Sequence, residues 1–338
     1  MSKDHFVVIG NGPAGNQAAF TLKQRVPEAS VTLISRERET CYKPHLLPNL
    51  IAGKVAEDDL CVCPIGLYRE KGIRLRTGQT VVSLNLPLRE VVLDHMEVVR
   101  FTGLVIAVGG RPRIPEPLLI FRDHLFTLKT RDDATAWIEK LSGVDTVLIL
   151  GGDLTSFAVA KALLGMGKKV YFMLNDDAFW PLRGDQAMFE EVVQKLAARG
   201  VETLPRKRLK GIARVASDAY EIQVDGTKIR AGMIGAFFGL IPDVQFLTGS
   251  GLRIDRGILV DEYLNAGFEG VYATGDCAQI YHRRIRDYWV SIGHDNAVNL
   301  GRIAAVNLAG GRAEAGVAKE SLFEVQGVKL NTSWWTEF

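Results

Sequence analysis

An α/β fold is predicted from two segments of one design. Residues 5–15 (HFVVIGNGPAG) and 146–156 (TVLILGGDLTS) are each an apolar strand running into a glycine turn and then into helical spacing. In such a unit the strand joins a parallel sheet and the turn grips a dinucleotide's pyrophosphate. Glycines let the backbone approach the phosphates, and the helix N-terminus supplies unpaired N–H groups and a partial positive charge. The third observation is length: 338 residues suggest about two domains at ~150 residues each. The prediction is therefore an α/β protein with two Rossmann-like dinucleotide-binding domains.

The elements follow in order. Residues 5–10 are apolar with little alternation, as in a buried parallel strand. Residues 14–25 have helical spacing, with Ala18, Ala19 and Leu22 on one face. Residues 31–34 read as a second strand, so Gly10, Gly12 and Gly15 complete G-x-G-x-x-G inside the βαβ context that the motif needs. Residues 81–93, rich in Val and Leu and broken by Pro87, predict a hairpin. Residues 104–110 form a buried strand ending in glycines, and Pro112, Pro115 and Pro117 read as a linker. The second unit has its strand at 147–150, its helix at 155–164 with stops at Gly165 and Gly167, and its next strand at 170–174. Residues 186–199 are helical up to Gly200, and 212–230 read as short strands. A buried strand at 271–273 runs into Thr274, Gly275 and Asp276, and a helix at 296–308 precedes Gly310 and Gly311.

Composition narrows the function. A net charge of +2 and a mean hydropathy near zero give no basis for a nucleic-acid or membrane-surface partner. The basic cluster at 206–210 reads as a solvated loop face. The apolar run from Phe6 breaks at Gly10, too short for export, and no stretch approaches the ~18 apolar residues of a membrane span, so a cytoplasmic protein is expected. Four cysteines fit a reducing compartment. Cys61 and Cys63 form C-x-C, which is neither a thioredoxin-like nor a zinc spacing, so structural thiols and no metal are expected.

The second turn is not intact. Asp153 and Ser156 stand where the second and third glycines belong, which puts a carboxylate where a phosphate would lie. Together these spacings resemble the FAD-dependent pyridine nucleotide-disulfide oxidoreductases, within them the rubredoxin, ferredoxin and nitrite reductase-like branch, across residues 5–330. The resemblance implies that the second domain is inserted in the first. An FAD-binding domain would comprise 1–115 and 243–312, an NAD(P)-binding-like domain 116–242, and a short tail 313–338.

It also implies roles. The turn of Gly10, Gly12, Pro13, Ala14 and Gly15 takes the ADP half of FAD. Ser35 and Arg36 end the second strand where an acid usually receives the adenosine ribose, and Glu37 could serve from slightly further along. Ala107, Val108 and Gly109 stand for the family's A-T-G, and Val81 and Arg111 complete this side of the set. In the late motif Gly275 and Asp276 face the ribitol; the other reading of Asp276 is a cap on the helix that follows. Lys43 and Pro44 pass close to the flavin ring. Lys43 is the candidate catalytic residue, an ammonium beside N5 that favours the reduced flavin; the plain alternative is a surface lysine. His45 holds the position of the reactive cysteine in the disulfide-reducing branches, so disulfide reduction is not expected. It either shuttles protons or packs as an ordinary histidine.

Four departures gather in the second site: Asp153, Ser156, Ala158 where a glutamate usually faces the nicotinamide, and Leu174 where an acid usually receives the NADH ribose. Asn175 follows rather than an arginine, Asp176 and Asp177 lie just beyond, and Pro181 and Asp185 are in family-like places. Two like charges 4 Å apart cost ~4 kcal/mol even at an effective dielectric of 20. NAD(H) or NADP(H) binding is therefore expected to be weakened, altered in pose or lost. The function implied is an FAD-dependent oxidoreductase passing electrons between NAD(P)H and a protein or small-molecule acceptor. The alternative is an FAD electron-transfer subunit of a larger redox complex with a degenerate nicotinamide site. The family's third, interface domain is expected after Gly311, and 322–330 resembles its first strands, but the sequence ends at Phe338. Trp334, Trp335 and Phe338 predict docking on a protein redox partner or another subunit, or folding back on the FAD domain.

Overall fold

A computed structural model describes residues 4–174, 186–216, 219–283, 286–290 and 293–316, and the backbone of Leu322–Val325 and Val328–Asn331. Six strands form the first sheet, in the order Asn265–Phe268, Val271–Ala273, Gly103–Ile106, His5–Ile9, Ser30–Ile34 and Ile73–Arg76. All pair in parallel except the first two, which are antiparallel. Val7, Val8, Leu104, Val105 and Ile106 are fully buried, which explains their unbroken apolar runs: a central parallel strand is covered on both faces. Helices Pro13–Arg25 and His294–Leu308 pack together over this sheet. The contact is close because Gly301 faces the first helix, where a Cβ would overlap the Ala14 carbonyl.

The second sheet is parallel throughout, in the order Glu202–Thr203, Lys169–Leu174, Thr146–Gly151 and Met233–Phe237. One face carries helices Arg131–Leu141, Leu154–Gly165 and Gln186–Ala198 around Trp137, Phe157 and Phe172. The other carries an antiparallel meander, Leu209–Ala216, Ala219–Val224 and Thr227–Ala231, whose Tyr220, Ile222 and Val224 close on Leu148, Leu150 and Met173.

Four expectations are corrected or extended. The buried strand read at 104–110 ends at Ile106, and Gly110–Pro112 is a separate strand paired with Leu240–Pro242. The proline segment is thus not a free linker. The two chain crossings between the sheets form a ribbon, and Glu116–His124 follows as a 3-10 helix. The hairpin at 81–93 gains a third strand, Val98–Arg100. No helix directly follows Asp276. A single 3-10 turn, Gly275–Cys277, leads into strand Ala278–His282, and strand Asp287–Val290 intervenes before His294–Leu308. Near the end, Leu322–Val325 and Val328–Asn331 pair as an antiparallel hairpin. Trp334, Trp335 and Phe338 lie outside the described residues, as do Asn175, Asp176, Asp177, Pro181 and Asp185.

Candidate functional site

A cleft of about 520 Å³ opens at the C-terminal ends of the first sheet's strands, the place where ligands bind in open α/β sheets. Its floor is the first glycine turn. Gly10 has φ +102°, and a Cβ there would overlap the Ala107 carbonyl. Gly15 lies one helical turn on, where a Cβ would overlap the Gly10 carbonyl, so this glycine serves close helix–strand packing. Gly12 differs. It caps helix Pro13–Arg25 without a side-chain hydrogen bond, and a Cβ there meets no atom within 4 Å. The open space and the uncapped N–H groups face the same cleft, as an anion cradle requires.

The wall brings together most of the residues singled out from sequence: Gly10, Gly12, Pro13, Ala14, Ser35, Arg36, Glu37, Val81, Ala107, Val108, Gly109, Gly275 and Asp276. Four lie off it. Gly15 is buried beneath the turn, and Arg111 is exposed on the inter-sheet ribbon. Lys43 precedes the 3-10 turn Pro44–Leu46, and its Nζ donates to the Asp59 carbonyl at 3.4 Å. His45 sits edge-on to His294, with ring centroids 4.8 Å apart.

Charges are arranged along the wall. Arg36 donates to Asp243 at 2.8 Å. The Tyr42 hydroxyl donates to Glu37 at 2.6 Å, and burial pushes the Glu37 carboxyl above the usual carboxylate range against that bond. Lys129 reaches across from the second domain to Asp276, 3.7 Å away. A capping box fixes the approach of Lys129: Asp133 accepts from the backbone N–H groups of Lys129 and Thr130, and Thr130 accepts from Asp133. Two buried polar atoms on the wall, Asn11 Nδ2 and Gln79 Oε1, have no partner among the described residues. An orphaned donor and an orphaned acceptor beside an open phosphate cradle fit a long, hydrogen-bonding dinucleotide such as FAD.

Sequence reasoning missed Asn11, Gln79, Lys129 and Asp243. Asn11 lay inside the motif, and Thr130-x-x-Asp133 marked the helix that Lys129 enters. Gln79 and Asp243 carried no local signal, because only the folded chain brings them to the turn.

The second turn has the same backbone and a different filling. Gly151 has φ +109°, and a Cβ there would overlap the Phe237 carbonyl. Asp153 caps helix Leu154–Gly165: Oδ1 accepts from the Ser156 N–H at 3.0 Å, and Oδ2 from the Gly239 N–H at 2.9 Å. Ser156 is fully buried, and its hydroxyl donates to the Asp153 carbonyl at 2.5 Å. Beside this turn lies a second cavity of about 510 Å³, walled by Leu118, Gly151 and Phe238. Arg206, Lys207 and Arg208 line it too, so part of the basic cluster faces a cavity rather than bulk solvent alone.

The cysteines divide by exposure. Cys61 is exposed and Cys41, Cys63 and Cys277 are buried, all unpaired. Burial pushes the Cys41 thiol up to about 12 and the Cys277 thiol up to about 11. Neither is a reactive thiolate near neutral pH.

Known proteins agree with this architecture. The chain is 28% identical over 326 residues to putidaredoxin reductase CamA of Pseudomonas putida, covering 91% of this chain and 75% of that protein. It is 24% identical over 281 residues to the assimilatory nitrate reductase electron transfer subunit of Bacillus subtilis, covering 82% of this chain and 36% of that protein. The crystal structure of a covalent putidaredoxin reductase–putidaredoxin complex shares the fold, with a TM-score of 0.87 at 22% identity, over 97% of this chain and 81% of that one. Among the described residues no helix is long and apolar enough to cross a membrane. The pyridine nucleotide-disulphide oxidoreductase family matches residues 4–295, and the chain belongs to that family.

Proposed function

We infer that this protein is an FAD-dependent oxidoreductase that passes electrons between a pyridine nucleotide and a protein acceptor. The observation that carries this reading is the cleft over the intact first turn: an uncapped helix N-terminus, an open Gly12 and unpartnered Asn11 and Gln79 on one wall. FAD, when bound, accepts a hydride and releases electrons singly or in pairs. The chain's own residues do the rest. The N–H groups of helix Pro13–Arg25 receive the pyrophosphate, and the short turn leaves no side chain in the way. Glu37, held by Tyr42, and Arg36, held by Asp243, stand at the end of the second strand to receive the adenosine end. Asp276 accepts hydroxyl hydrogen bonds, with the Lys129 ammonium 3.7 Å from its carboxylate across the cleft. Lys43 lies off the cleft wall with its Nζ on the Asp59 carbonyl, and a role beside the flavin would require that side chain to turn toward the cleft.

A second reading has its own support. Asp153 closes the second glycine turn, and one relative is an electron transfer subunit. In that reading the protein is an FAD-bearing subunit whose nicotinamide site is degenerate, and the aromatic tail at Trp334 and Trp335 docks it on another subunit. Four unpaired cysteines support a reducing compartment such as the cytoplasm for either reading. An anaerobic titration separates the two. Bleaching of protein-bound FAD by NADH or NADPH is expected for the first. A flavin that only a chemical reductant or light bleaches overturns it in favour of the second.

A further inference from the structure

The two glycine turns of this chain are an internal comparison. Gly10 and Gly151 hold the same left-handed conformation, and each is pressed against the carbonyl that ends a neighbouring strand. Two residues on, the turns diverge. Gly12 leaves the N-terminus of its helix open to a cleft. Asp153 fills the same position of the second turn with its own carboxylate.

That carboxylate is more than a local cap. One oxygen takes the Ser156 N–H from the first turn of its own helix. The other takes the Gly239 N–H, from the segment just beyond strand Met233–Phe237. An anion arriving at this helix N-terminus would need N–H groups of this kind. The Ser156 hydroxyl is also committed, to the Asp153 carbonyl. The turn therefore holds an internal carboxyl group that bridges two segments of the domain; burial pushes it above the usual carboxylate range, and the two N–H bonds oppose that shift.

We propose that Asp153 is a specificity-determining residue that competes with the phosphates of a pyridine nucleotide for this turn and keeps the affinity for NADH and NADPH low. The inference rests on reading the inserted domain as the pyridine-nucleotide domain. A pyrophosphate must either displace the carboxylate from two N–H groups or lie beside a second negative charge in the same turn. Asp153→Gly removes the carboxylate and restores the second glycine of the pattern, with Ser156 left in place of the third. Asp153→Asn keeps the size and one acceptor oxygen and removes the charge.

The test is equilibrium binding of NADH and NADPH to the full-length, FAD-loaded protein, read from nucleotide fluorescence and so independent of turnover. Asp153→Gly is expected to lower the dissociation constant about tenfold or more, as loss of a competitor holding charge-assisted hydrogen bonds should. Asp153→Asn is expected to fall between it and the parent protein. If Asp153 were only a helix cap, both variants would melt at lower temperature and bind nucleotide as the parent does, and that result overturns the proposal. Should Asp153→Gly fail to fold, an unchanged dissociation constant in Asp153→Asn overturns it equally. A gain-free variant in FAD-loaded protein removes this inference and leaves the flavoprotein reading standing. A purified protein that takes up no FAD overturns that reading and this inference with it.

Discussion

Glycine is used here for two different reasons within three residues, and the difference can be measured. Gly10 is required by conformation and by closeness, because its φ is left-handed and a Cβ would overlap the Ala107 carbonyl. Gly10→Ala should therefore destabilise the protein by about 2 kcal/mol or more in urea unfolding, before any ligand effect. Gly12 has ordinary extended geometry and open space around it. Gly12→Ala should leave the stability of FAD-free protein within about 0.5 kcal/mol, as surface changes usually do. Its methyl group would project into the cradle, so FAD affinity should fall about tenfold or more, read by flavin fluorescence on titration. The spacing of the motif was legible in the sequence; which glycine packs and which faces ligand was not. Both kinds look alike until Ala107 is placed beside the turn.

Element by element, the sequence read strands and helices well where hydrophobic periodicity ran long, and less well at short connections. Helix His294–Leu308 begins two residues earlier than its spacing suggests. The segment after Thr274 shows the harder case. Its glycine and aspartate read as a helix entry, yet the chain makes one 3-10 turn and then two strands, because Ala278–His282 finds a parallel partner in Ile258–Val260. Partners distant in sequence leave no periodic signal. The pairing of helices Pro13–Arg25 and His294–Leu308 depends on Gly301 in the same way. Gly301→Ala gains about 1 kcal/mol of helix propensity but forces a methyl group into the Ala14 backbone. Overpacking of that kind costs about 1–3 kcal/mol, so a net loss of stability is expected in urea unfolding. The cost should be accompanied by weaker FAD binding, because Ala14 belongs to the cradle.

For the whole molecule, the two domains are joined by more than the ribbon of crossing strands. Leu47, Leu50, Ile51 and Leu60 precede the insertion in sequence, yet they bury themselves in the second domain's core beside Trp137 and Phe157. Lys129 makes the reverse crossing and meets Asp276 over the cleft. A ligand spanning the first turn and Asp276 thus also meets Lys129 of the second domain. Removing FAD should lower the thermal transition of the protein. Restoring it at 100 times its dissociation constant should return ~2.7 kcal/mol, read by calorimetry of the stripped and reloaded protein.

The sequence by itself determined the α/β class, both strand–turn–helix units, the intact first motif and the anomaly at Asp153. These are local: a period of apolar residues and a glycine turn are complete within about 30 residues. Only the tertiary structure decided what the anomaly does. The residue that looked like a repulsive charge is a partnered carboxylate, and one of its two partners, the Gly239 N–H, comes from a segment that the sequence places far away. The same holds for Lys129, Asp243 and Gln79 on the cleft wall. Hydrogen bonds and ion pairs are made between atoms a few ångströms apart, and chain folding, not residue order, sets those distances.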